Sequence, residues 1–136
     1  MQVTDWVQLP RDDVAPHNSG VYVTMNRKGE IMMNKVAYKR VGEPTAFWIY
    51  YNRPNSLIAL KPIGATLTNA YPVRKHGRRG GRVVRAFRLL VEFGLKLPDT
   101  VEFPDVEIDR DGQLILDLRT ARVSPRAHSQ CRPQKN

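Results

Sequence analysis

The apolar residues of this chain come in short runs, each closed by glycine, proline or a polar turn. The most continuous run, Ala46 to Tyr51, is strand-sized, and nothing approaches the roughly 18 to 20 apolar residues that span a bilayer. Punctuation this frequent excludes a long helix. It leaves short strands and single-turn helices, which bury too little alone and must share one interior. In 136 residues there is room for one such domain.

Met1 to Gly20 mixes Pro10, Asp12, Asp13, Pro16, Asn18 and Ser19 and reads as an irregular lead-in, with Trp6, Val7 and Leu9 apolar enough to pin it down. Val21–Met25 and Glu30–Met33 flank Asn26-Arg27-Lys28-Gly29, the pattern of a hairpin. Asn34 is placed to cap a short helix over Lys35–Val41, which Gly42 ends and Pro44 prevents from continuing. Ala46–Tyr51 and Leu57–Leu60 around Asn52–Ser56 predict a second hairpin.

After a connection at 64–70 the order recurs. Tyr71-Pro72-Val73 leads into a basic glycine loop, and Arg82-Val83-Val84 returns. Val83, Phe87, Leu90 and Val91 fall at helical spacing before Gly94, which lies 52 residues after Gly42. Thr100–Phe103, Val106–Ile108 and Leu114–Leu118, with a turn at Asp109–Gly112, would close this half. A true duplication and a chance parallel both fit. The expected fold is mostly β with two short helices (α+β), a compact small β-barrel of two hairpin-helix-hairpin halves at 21–63 and 71–118. Residues 119–136 are expected as a basic disordered tail.

Charge is distributed unevenly. The chain carries 22 Lys and Arg against 13 Asp and Glu, a formal net charge of +9. From Pro44 to Val91 there is no acid and nine bases, whereas Glu92–Leu118 has eight acids against Lys96 and Arg110. Within the basic stretch, Arg74, Lys75, Arg78, Arg79 and Arg82 surround three glycines, with Arg85 close behind. Glycines let backbone approach a phosphate and arginines make bidentate contacts to it. A plain solvated loop fits the same run of charge. The tail adds Arg119, Arg122, Arg126, Arg132 and Lys135.

Val23–Lys35, then Tyr38-Lys39-Arg40-Val41-Gly42 and Leu57–Pro62, resemble an AbrB-type (SpoVT/AbrB-like) swapped-hairpin DNA-binding domain over residues 21–63. That resemblance implies hairpins that dimerise into a small barrel, and DNA contact through the first turn, here Arg27 and Lys28. Two positions depart from the family pattern: Asn34 stands in place of a proline, and Pro44-Thr45 in place of Gly-Asp. A diverged second copy at 71–118 would carry the stronger basic loop, with both loops expected on one face.

Other chemistry finds little footing. Glu107, Asp109, Asp111 and Gly112 imitate a calcium loop but begin on Glu and reach Leu118 where a bidentate Glu is needed. His17, His76 and His128 lack neighbouring ligands, so no metal site and no cofactor are expected. No nucleophile or nucleotide motif points to an enzyme. The single cysteine, Cys131, forbids an intrachain disulfide, and Met1–Pro10 lacks the features of a secretory signal, so the expected location is cytoplasmic. Alternation puts Phe47, Ile49 and Tyr51 on one strand face and Trp48 and Tyr50 on the other, one face for the core and one free to stack on bases. These readings together predict a DNA-binding regulator or nucleoid or phage accessory factor, as a homodimer or an intrachain pseudo-dimer with no membrane partner. An RNA-binding module and a protein-interaction subunit are the competing expectations.

Overall fold

The computed structural model describes residues 20–124. β1 (Val23–Met25) and β2 (Glu30–Met33) form the first hairpin. Asn26 shapes its turn: the side-chain carbonyl accepts the N–H groups of Lys28 and Glu30, each at 3.0 Å, and Gly29 takes φ +80°. α1 (Lys35–Arg40) starts at Asn34, whose Oδ1 accepts the N–H of Ala37 at 2.9 Å and that of Tyr22 at 3.2 Å. Gly42 at φ +89° ends that turn, and the Tyr38 hydroxyl donates to the Pro44 carbonyl at 2.6 Å, directing the chain into β3 (Ala46–Asn52). β3 pairs with β4 (Leu57–Ile63) along its whole length.

β5 (Tyr71–His76) and β6 (Gly81–Arg85) follow the connecting loop, then α2 (Phe87–Phe93), ended by Gly94 in the left-handed region. The helical spacing expected from Val83 is not used. Val83 lies on β6, opposite Met32 on one side and Arg74 on the other, because two neighbouring strands hold that segment extended. The last strands are β7 (Val101–Glu102), β8 (Glu107–Ile108), β9 (Leu114–Asp117) and β10 (Arg122–Val123).

All ten strands make one antiparallel sheet in the order β10-β7-β1-β2-β6-β5-β3-β4-β9-β8. Outward from the central β2–β6 pair, one arm runs β2-β1-β7-β10 and the other β6-β5-β3-β4. In each arm a first hairpin is followed by the strand that comes after the other half's helix. The element order thus recurs as interlocked halves. The two hairpin turns repeat the relation: a Cβ on Gly29 would lie 2.9 Å from the Phe87 Cα, at the start of α2, and one on Gly80 would lie 2.9 Å from the Lys35 Cδ, at the start of α1.

The sheet curls into a barrel-like wall whose edges are β10 and β8. Val101 and Phe103 from one end and Leu114 and Leu116 from the other share one core with Met25, Phe47 and Leu60. Ala37 and Tyr38 of α1 and Leu89 and Leu90 of α2 pack against it.

Two expectations change at the C-terminal end. The hairpin expected around Asp109–Gly112 forms as β8 with β9 and docks on β4, but Thr100–Phe103 stands apart from it: β7 pairs with β1 and β10. The disordered tail does not begin at Arg119. β10 pairs with β7, Ser124 is buried, and the carboxylate of buried Glu102 accepts the Arg122 Nε–H at 2.7 Å. Arg119 closes on Asp117 at 3.2 Å. Arg126, Arg132 and Lys135, like the lead-in at 1–19, lie outside the described residues.

Candidate nucleic-acid interface

Strand alternation sorts the basic segment. Val73 and Val84 pair across β5–β6 and face the core, so Arg74 faces outward beside Val83, and Lys75 pairs with Arg82. The turn at 77–80 carries Arg78 and Arg79 at its apex between Gly77 and Gly80, both at positive φ. Arg74, Lys75, His76, Arg78 and Arg79 are exposed. Among the described residues none of these four arginine and lysine side chains has an ion-pair partner.

Arg82 is different. Its Nη1 donates to the carbonyls of Gly80 and Gly81 at 2.8 and 2.9 Å, and its guanidinium lies 4.6 Å from the Tyr38 ring centroid. It holds the hairpin turn onto α1 instead of standing out with the others. Arg85 sits across from Glu30, at 3.7 Å.

The first turn presents Arg27 and Lys28, both exposed. It stands apart from the second. β2 and β6 run antiparallel with Glu30 opposite Arg85 and Met33 opposite Arg82, which puts the two tips at opposite ends of that pair. At about 3.4 Å per residue the tips stand on the order of 20 Å apart. The acidic hairpin β8–β9 is separated from β5 by β3 and β4 along the sheet. Its turn is internally satisfied: Asp109 Oδ1 accepts the N–H groups of Asp111 and Gln113 at 3.0 and 2.8 Å.

Beside the second tip lies a groove of about 730 Å³ on the outer side of the sheet. Arg78 and Arg79 on one wall and Lys35 and Val36 of α1 overlook a floor that includes Thr24 and Met32. Periodicity alone could not have found it, because it joins β1, β2, α1 and the β5–β6 turn. Elsewhere, Phe47 is in the core with Ile49 and Tyr51 packed against it, while Trp48 and Tyr50 face outward. Trp48 is already engaged: its Nε1–H donates to the Thr68 carbonyl at 2.8 Å and Lys61 Nζ lies 5.8 Å from its ring centroid. Tyr50 is 49% exposed.

Among the described residues no helix is long and apolar enough to cross a membrane, and no three His, Cys, Asp or Glu side chains converge as metal ligands. Compared with known proteins, the chain matches no family model, no curated protein and no solved structure.

Proposed function

We propose that this chain is a non-enzymatic DNA-binding protein that grips the phosphate backbone through the β5–β6 hairpin, in the role of a small transcriptional regulator or a nucleoid or phage accessory factor. The observation that carries the reading is the turn itself, where exposed Arg74, Lys75, Arg78 and Arg79 surround glycines with no acid beside them. Such an exposed, one-signed projection suits a polyanion better than a mixed protein surface does. The AbrB-type resemblance at 21–63 points the same way, and interlocking of both halves within one chain favours an intrachain pseudo-dimer. Arg27 and Lys28 at the far tip, and Arg85 near it, give a weaker second contact.

The Arg78→Ala, Arg79→Ala double variant should bind every duplex sequence more weakly. Its plot of log affinity against log salt should be shallower by about 2, one for each phosphate contact removed. Unchanged affinity and slope would sink the assignment. RNA is the second reading, favoured by exposed Tyr50 as a stacking surface. Competition among duplex DNA, duplex RNA and single strands separates the two.

A further inference from the structure

We infer that the groove beside the β5–β6 turn is a binding site for a phosphomonoester, carried by a free nucleotide or by the phosphorylated end of a nucleic-acid strand. This goes beyond backbone binding, because the groove adds Lys35, Thr24, Met32 and Val36 to the Arg78 and Arg79 that it shares with the hairpin tip.

Three observations converge. Lys35, Arg78 and Arg79 border the groove, and no carboxylate is among its described lining residues. Two guanidinium forks and an ammonium suit the doubly charged terminal phosphate better than a singly charged diester. Thr24, on the floor, is only 6% exposed, yet among the described residues its hydroxyl has no hydrogen-bond partner. A buried hydroxyl normally has a partner, and a sugar or base group lying over β1 would supply one. Finally, about 730 Å³ falls in the range of small-molecule sites, and Met32 and Val36 offer apolar surface for the rest of a nucleotide. The antiparallel β2–β6 arrangement places Arg27 and Lys28 at the other end, away from this groove.

The test uses the full chain. Calorimetry with thymidine 5′-monophosphate, thymidine and inorganic phosphate reads the free-nucleotide source, and anisotropy with 5′-phosphorylated and 5′-hydroxyl single-stranded dodecamers reads the strand-end source. The phosphorylated member of at least one pair should bind about tenfold more tightly or better, as expected for a charge-assisted contact. Lys35→Met, which keeps the stem against Gly80, should remove most of that preference, whereas Thr24→Val should weaken the phosphorylated and unphosphorylated members alike and Thr24→Ser should not. Duplex binding and melting temperature should be unchanged in Thr24→Val, so loss of this site is distinguishable from loss of the backbone-binding reading. Absence of any preference for phosphate, a preference undiminished in Lys35→Met, or an affinity unchanged in Thr24→Val would overturn the inference.

Discussion

Two turn glycines with nearly the same backbone angle should respond differently to the same substitution. Gly29 and Gly77 lie at φ +80° and +73°, so alanine is strained at both. At Gly77 the added Cβ meets nothing within 4 Å, whereas at Gly29 it would lie 2.9 Å from the Phe87 Cα and 3.0 Å from the Ala86 carbonyl oxygen. Backbone atoms cannot swing aside, and the Ala86 N–H is itself bonded to the Gly29 carbonyl at 2.9 Å. Gly77→Ala should therefore cost about 1 kcal/mol, and Gly29→Ala about 3 kcal/mol or more, in urea unfolding. Equal losses would mean that the turn does not rest against α2. Arg82 makes a related case. Arg82→Lys gives up the stack on Tyr38 and the fixed donor to two carbonyls, and should lower stability by about 1 kcal/mol, while Arg79→Lys should leave the same unfolding curve unmoved. A run of basic letters does not separate these residues; their positions on alternating sides of β6 and its turn do.

Single elements show how far local sequence reaches. Asn34 before α1, Gly42 and Gly94 after the helices, and the Asp109–Gly112 turn were legible because each acts on neighbours within a few residues. β10 was not. It is two residues long, lies among arginines and polar residues, and exists because β7 offers it an edge about 20 positions earlier in the chain. Its importance is visible at Glu102, 9% exposed and bonded to Arg122. Arg122→Ala should cost about 1 to 2 kcal/mol, less than a fully buried pair because the Arg122 side chain is 68% exposed. No change in chemical denaturation would make β10 dispensable. Between β9 and β10, the hydrogen bond from Arg119 to Asp117 holds that carboxyl below its ordinary value of 3.8. A depressed carboxylate pKa stabilises the fold above the unfolded pKa, and the contribution fades as pH falls through the folded one. Carbon-detected titration of Asp117 should place its midpoint below 3.8, and Arg119→Ala should move it upward.

At the scale of the whole molecule, interlocking sets what can come apart. Repetition of hairpin, short helix and glycine could be read locally, but not the exchange of strands, since partner choice depends on contacts far apart in sequence. For the same reason the separation of the two basic tips was hidden: each loop was visible, whereas the antiparallel β2–β6 register that sends them to opposite ends was not. Residues 20–63 contribute β1 to β4, and each of these strands pairs with a strand from beyond residue 70: β1 with β7, β2 with β6, β3 with β5 and β4 with β9. Neither part can close the core alone, because Phe47, Ile58 and Leu60 lie in the same cluster as Val84, Leu114 and Leu116. The covalent link between the parts is a different matter. It crosses an exposed loop at 64–69 held chiefly by its own turns, by the Ala65 N–H donating to Thr45 Oγ1 and by the Trp48 Nε1–H donating to the Thr68 carbonyl. Cutting the chain between residues 66 and 67 therefore removes connectivity while leaving the four pairings available. Expressed separately, fragments 1–66 and 67–136 should give circular dichroism spectra without strand structure. Expressed together, they should copurify as a one-to-one complex with the strand spectrum of the intact chain, and its stability should fall with dilution as association becomes bimolecular. A folded, monomeric 1–66 fragment would refute the interlocked arrangement.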